Sequence, residues 1–578
     1  MGDRQYPEIK SMYALLAQTA PQLSGIDWTV IGLYFCLLVG IVYWSSKQQN
    51  STADYFLAGR HAGWFVVGCS IFASNIGSEH IVGLAGSGAN NGLAQAHWEM
   101  QGWVLLILAW FFIPFYYSSG VFTMPEFLER RFDARSRWVL SIVSLIAYVF
   151  TKVSVTVYAG AIVFETLLPD TFGSPENAFW VGAFTTVILT GIYTIFGGLR
   201  AVIYTEVAQT AVLLIGSACI TFFGLQKLGG WGELVATAQP HSKSFALWRP
   251  LSDMNFPWLG VMIASVVIGV WYWCTDQYIV QRCLAAKNLQ NARRGAIFGG
   301  GLKMLPVFIF LVPGMIGWAL HQKGLISIPV EDGKLQGDMV FPTMVATLLP
   351  PVIRGLVVAG LMSALMSSLA SLFNSCATLF TVDIYDKLRP GQSQKKLVNV
   401  GRVATIVVVG FGLIWIPVMK IISEKSKGLY DYLQNFQGFL APPIFSVFIL
   451  GLFCKRINGS GAFAGLVVGF IAGMTKLTIQ TIVQAKGLEG GLFADIGNYN
   501  GYYACGWLTL LSSLVIVAVS LATPAPPAEK TDNLTFSSLS DEAKKTWKDS
   551  ITMADYIGTV AVLAIVAVGY LYFSFWLN

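Results

Sequence analysis

Charge is what this sequence has least of. Of its 578 residues only 12% are Asp, Glu, Lys or Arg, against about 25% in a soluble globular domain. With 55% hydrophobic residues and a mean hydropathy of +0.61, the chain reads as a polytopic membrane protein. The net charge of +6 then carries no message about nucleic acid, because what counts is which loops hold it. Cysteine is scarce too. Cys36, Cys69, Cys219, Cys274, Cys283, Cys376, Cys454 and Cys505 lie in or beside apolar spans without a CxxC pair, so neither a disulfide framework nor a zinc site is indicated. Residues 1–26 hold no short apolar core of the kind a cleaved signal needs. Walker, Rossmann and kinase motifs are missing, which leaves ATP-driven pumping and a fused sensor module unsupported. No nucleophile–base pairing points to an enzyme.

What is present is a succession of apolar spans, about fourteen, near 27–46, 64–85, 96–118, 138–168, 178–195, 201–225, 257–281, 296–320, 352–385, 403–419, 430–453, 460–482, 501–523 and 553–577. Loops after odd-numbered spans hold 22 of the 37 Lys and Arg, and the other loops with the N-terminus hold 11. Positive charge stays on the cytoplasmic side, so both termini are expected outside. The expected organisation is an extracellular segment 1–26, a peripheral first helix 27–46, two five-helix units 64–225 and 257–453, and peripheral C-terminal helices 460–577. Segment 524–550 is expected to be a polar cytoplasmic linker with a helical piece at 539–548, and residues 338–349 of an outer loop a short helix lying over the site.

Two spans are interrupted. The second carries Asn75, Gly77, Ser78, Glu79 and His80 in its middle, and polar groups facing hydrocarbon cost several kcal/mol unless satisfied. A helix that unwinds there turns its freed carbonyls toward a watery cavity, as transporters do at the membrane midplane. The seventh span, five later, is interrupted at Ile268-Gly-Val-Trp-Tyr-Trp-Cys-Thr-Asp-Gln277. Five is odd, so a second copy inserts upside down relative to the first, and the site lies between the copies. In the ninth span Ser367, Ser368 and Ser371 share adjoining positions of one helix surface. Their hydroxyls, set against freed carbonyls, suit a hard monovalent cation that must bind and leave. Asn75, His80, Glu99, Tyr272, Trp273, Lys303 and Gln434 stand at membrane depth. They form a set of donors, acceptors and flat rings that fits a neutral polyhydroxylated ligand. Asp276 is expected to orient the break rather than touch that ligand.

The segments Ala73-Ser-Asn-Ile-Gly-Ser-Glu-His80, Gly86-Ser-Gly88, Thr123-Met-Pro-Glu-Phe127, Trp271-Tyr-Trp-Cys-Thr-Asp-Gln277 with Ile279-Val-Gln-Arg282, and Leu365-Met-Ser-Ser368 through Asp383-Ile-Tyr385 carry a family resemblance. In this order, from about residue 52 to 455, the chain resembles the sodium/solute symporter family and its sodium–glucose cotransporter branch. The resemblance implies an all-α LeuT-type five-plus-five inverted repeat with extra helices, fourteen in all, in a plasma membrane, the inner membrane for a chain of this bacterial-type length. It implies sodium-driven uptake of a hexose by alternating access, with sodium and the sugar as the small-molecule partners. Its sodium site carries over to the carbonyls of Ala73, Ile76 and Ala364 and the hydroxyls of Ser367 and Ser368. Its sugar site carries over to Asn75, His80, Glu99, Lys303 and Gln434, with Tyr272 closing under the ring and Trp273 beside it. A second sodium site would lie near Glu206 and Ser371. Three departures stand out. Gly269 replaces a polar residue, Glu206 replaces the usual Asp, and Ala370 lacks a hydroxyl, so one sodium per sugar is expected. The same inventory suits another polyol such as myo-inositol; a proton-coupled carrier leaves the serines without a purpose, and a non-concentrating sensor or uniporter is the remaining alternative.

Overall fold

The computed structural model describes residues 23–46, 51–77, 79–169, 171–331, 333–423 and 429–577. Most of segment 1–26, and Ser78, lie outside them. The described chain is almost wholly helical, with one small antiparallel hairpin, Val330–Glu331 against Lys334–Leu335. Twelve of its helices are long and apolar enough to cross a membrane, which makes this a multi-pass membrane protein. Burial separates centre from periphery. In the most apolar window of Ile353–Leu388, 94% of residues are buried, against 22% in Gly25–Ser45 and in Met553–Phe575. The two outer helices instead present Leu33, Leu37, Val560 and Leu571 outward, as a lipid-facing surface does.

Polar anchors fix the peripheral first helix. Asp27 is fully buried and accepts hydrogen bonds from the amides of Val352 (2.9 Å) and Gly355 (3.0 Å) and from the Arg354 guanidinium (2.8 Å). It caps the central helix, whose first amides have no partner within the helix. Close packing does the rest. The 54-residue helix Pro175–Leu228 turns at Gly198, whose φ of +53° is costly for any residue with a Cβ, and a Cβ there would lie 2.7 Å from the Tyr55 carbonyl. Gly314 packs on the carbonyl of Ala85, 1.9 Å from where a Cβ would stand. Such small-residue contacts let membrane helices approach closely. Gly314→Ala is therefore expected to destabilise the fold by about 1–3 kcal/mol. Gly40→Ala, where nothing lies within 4 Å of the new Cβ, serves as the control. Equal melting temperatures for the two variants in detergent would contradict this packing account.

The interruptions differ in detail from the sequence reading. Helix Trp64–Asn75 ends as predicted, with Ile76 extended (φ −84°, ψ 104°), and the chain re-enters helix as a wide turn at Glu79–Leu84. It then runs on to Asn91, beyond the expected end near residue 85. In the seventh span the interruption is not at Gly269, which lies inside the helix Trp258–Val270. After a wide turn at Trp271–Thr275 the chain breaks at Asp276 (φ −78°, ψ 125°), whose side chain caps Gln277–Leu284 by accepting from the Tyr278 amide. The glycine bends nothing, because the helix hydrogen bonds persist around it. The carboxylate that caps a new helix is what marks the break. The short helix expected at 338–349 is Gly337–Leu348, set against Gly86, and the linker helix is Asp541–Asp549. Ahead of that helix, Phe536 packs between Phe115 (4.6 Å between ring centres) and Phe453 (4.8 Å).

Candidate functional site

Where helix Trp64–Asn75 stops, backbone carbonyls lose their helical donors and find side chains of the central helix. Ser367 Oγ lies 2.9 Å from the Ala73 carbonyl and 3.1 Å from that of Ala364, to which it donates. Ser368 Oγ lies 3.3 Å from the Ser74 carbonyl and 3.2 Å from that of Ile76. Of the five oxygens picked out in the sequence, Ser367 Oγ thus meets those of Ala73 and Ala364, and Ser368 Oγ meets that of Ile76. Each serine is buried, and the group holds no full charge, so it offers neutral hard oxygens of the kind a monovalent cation exchanges.

The same break opens on a polar, aromatic-lined cavity. All seven residues singled out as ligand contacts, Asn75, His80, Glu99, Tyr272, Trp273, Lys303 and Gln434, line it, and so does Ser368. Glu99 is fully buried rather than interfacial and takes the Lys303 ammonium on Oε2. Lys303 sits 5.4 Å from the Trp273 ring centre instead of extending toward the membrane surface. The Gly77 amide donates to His80 Nδ1 (3.4 Å), and Nε2 faces Glu99 Oε1 at 3.8 Å. Asn75 Nδ2 lies 3.4 Å from the same ring. Tyr272 and Trp273 meet edge to face, 4.9 Å apart at 86°. Gln434 Oε1 is buried and has no hydrogen-bond partner among the described residues.

Sequence reasoning missed part of the wall. Glu79, Trp98, Gln101, Lys152, Thr156, Tyr278 and Gln437 also line the cavity. Lys152 donates to Asp276 at 2.9 Å and lies 4.5 Å from the Tyr272 ring centre and 4.6 Å from that of Tyr278. Tyr148 OH bonds the other carboxylate oxygen of Asp276. Asp276 thus orients the break, as expected, and it does so through a buried lysine that stood in the sequence as an unassigned cation within a span.

Glu206 is buried beside Ser371. It accepts hydrogen bonds from Ser74 (2.8 Å), Ser371 (2.5 Å) and Ser70. Its cationic neighbour is Arg282, at 3.7 Å, rather than Arg200, the nearest basic residue in the adjoining loop. Arg200 lies over the Trp44 ring. The three hydroxyls come from residues other than Ala370, so the missing hydroxyl there leaves the carboxylate well solvated.

Three of the sequence motifs meet at one end of the bundle. Thr123 Oγ1 donates to Asp383 Oδ1 (2.8 Å), Arg137 Nε donates to the same oxygen (2.6 Å), and the Met124 amide donates to Gln277 (2.9 Å). Glu129, outside the spans, bridges Arg137 and Lys387. Burial acts to raise its carboxyl, but hydrogen bonds from those two cations outweigh it and hold it below the usual carboxylate range.

A helical bundle with one helix broken between an oxygen cluster and a polar, aromatic-lined cavity is a membrane transporter's architecture. The chain belongs to the sodium:solute symporter family, whose model matches residues 55–469. It is 39% identical to sodium/glucose cotransporter 1 of Ovis aries over 86% of this chain and 79% of that one, and 39% identical to sodium/glucose cotransporter 4 of Danio rerio over 88% and 80%. It is 38% identical to sodium/glucose cotransporter 2 of Rattus norvegicus over 78% and 71%. Its fold is shared with a Na+-coupled sialic acid symporter solved in a substrate-bound outward-open state (TM-score 0.73, 22% identity, 87% of this chain and 98% of that one).

Proposed function

We propose that this transporter couples sodium entry to uptake of a neutral hexose by alternating access. The observation that carries the reading is that one broken helix serves both sites. Ala73 and Ile76 contribute carbonyls to the oxygen cluster, Asn75 and His80 contribute side chains to the cavity, and Ser368 belongs to both. Ion occupancy that orders this break also orders the cavity wall, and the coupling is reciprocal. Ala73, Ile76, Ala364, Ser367 and Ser368 are the sodium ligands. Asn75, His80, Glu99, Lys303 and Gln434 hold the hydroxyls, with Tyr272 and Trp273 covering the C–H face. The Glu99–Lys303 pair leaves the cavity without net charge from these two groups, which favours a neutral ligand over an amino acid. Matching broken helices at Ile76–Gly77 and Asp276 support two inverted five-helix units. Counting the helix bent at Gly198 as two crossings, and Glu79–Ser119 as the second half of the broken span plus one further crossing, brings the twelve to fourteen, an even number that supports termini on one side, outside by the loop charges. Competition against labelled glucose by galactose and myo-inositol separates a hexose carrier from a polyol carrier. Stronger inhibition by myo-inositol than by either hexose would overturn the hexose assignment.

One sodium accompanies each sugar. Glu206 at the second position is already matched by Arg282 and three hydroxyls, a fixed counter-cation where a second ion would need to sit. One charge crossing ~100 mV gains about 2.3 kcal/mol, and a tenfold sodium gradient adds ~1.4 kcal/mol. That sustains a sugar gradient of roughly 500-fold, and a second ion would square the figure. Reversal potentials measured over varied sodium and sugar gradients are expected to give one charge per sugar; two would contradict this.

A further inference from the structure

We infer that Gln101 is a specificity-determining residue of the cavity, accepting a hydrogen bond from one hydroxyl of the transported solute; this rests on the hexose reading above. Gln101 lines the cavity and is buried. Its side chain occupies the space beside Gly269, where a Cβ would come within 3.0 Å of Gln101 Nε2. The seventh-span helix presents no side chain at that point, and the third-span amide fills the place from across the interface.

The orientation of the amide follows from its partners. Nε2 donates to the Ser265 carbonyl (3.0 Å) and to Ser265 Oγ (2.9 Å), and Oε1 accepts from Trp273 Nε1 (3.1 Å). A carbonyl only accepts and an indole N–H only donates, so the oxygen and nitrogen cannot be exchanged. Both amide protons are then committed, while Oε1 keeps one lone pair. The group therefore offers an acceptor and nothing else to a ligand. It takes a hydroxyl hydrogen, and a solute with a bare carbon at that point leaves a buried acceptor unsatisfied. The bond from Trp273 holds that ring at a fixed angle next to Tyr272, so the acceptor and the aromatic wall keep their relative positions.

The test is a cycle between residue and substrate, read in proteoliposomes under a sodium gradient. Wild type, Gln101→Leu and Gln101→Glu are each assayed with glucose and with a set of monodeoxyglucoses. In wild type, one of these analogues is expected to raise KM by roughly five- to tenfold, as loss of a neutral hydrogen bond does. In Gln101→Leu that analogue and glucose are expected to have the same KM, while the penalties for the other analogues persist. Gln101→Glu, which keeps an acceptor, is expected to retain the discrimination. A Gln101→Leu variant that preserves every wild-type analogue penalty, whatever its absolute activity, would overturn the inference and leave a purely structural amide. The same holds if neither variant can be obtained folded but Gly269→Ser, which crowds the amide, leaves the analogue profile unaltered. Failure of wild type itself to accumulate any hexose would instead remove the functional reading, and this inference with it.

Discussion

Glu99→Gln is expected to reduce sodium-driven hexose uptake by a hundredfold or more while the protein still inserts. The side chain is fully buried, takes the Lys303 ammonium on one oxygen and faces His80 on the other. Glutamine keeps the shape and removes the charge, leaving a buried ammonium whose remaining support includes the Trp273 ring at 5.4 Å. Breaking a buried pair from one side costs about 3–5 kcal/mol, and charge-assisted bonds to two sugar hydroxyls are each worth about 1.5–3 kcal/mol more. Either loss alone exceeds a factor of ten, since about 1.4 kcal/mol is tenfold. Adding Lys303→Met in the same chain should recover melting temperature but not uptake, because the orphaned cation is gone and the ligand's partners are gone too. Uptake normalised to purified, monodisperse protein checks this, and wild-type transport by Glu99→Gln would contradict the assignment.

Ser368→Ala is expected to raise the sodium concentration needed for half-maximal uptake by roughly tenfold to a hundredfold. The lost hydroxyl is one of two in the oxygen cluster, and an unreplaced buried ligand costs about 1–3 kcal/mol. Ser367→Ala should act in the same direction, with an equal or smaller effect. At saturating sodium the sugar KM of Ser368→Ala should change much less than its sodium dependence. The hydroxyl is bonded to the Ser74 and Ile76 carbonyls of the broken helix. An unaltered sodium activation curve in both variants would remove the cation from this position.

How much of this was legible in the sequence depends on whether the signal was local. The run from Ser74 to His80 announces a break because polar groups in a membrane span have one inexpensive resolution, and the structure breaks there. Ser367 and Ser368 were legible because helix geometry alone puts them on one surface. The gathering of Asn75, His80, Glu99, Tyr272, Trp273, Lys303 and Gln434 around one cavity needed the resemblance as well, since spacing does not bring five spans together. Long-range partners were beyond reach. Lys152 reads as an isolated cation until Asp276, 124 residues away, comes to 2.9 Å. Nothing near Glu206 in the sequence points to Arg282, which reaches it through the second half of the seventh span. Gly269 lies in the segment read as interrupted, yet the helix runs through it. Its role lies instead in the room it leaves for Gln101, which only the packed structure reveals.

The central claim is that a sodium gradient drives hexose uphill through this cavity. The most direct measurement follows labelled glucose and galactose in proteoliposomes of purified protein, with sodium, potassium or a proton gradient imposed inward. The account predicts a transient internal hexose concentration above the external one with sodium alone, which vanishes when sodium is equal on both sides. Equal uptake with and without the sodium gradient, or accumulation driven by protons instead, would contradict it.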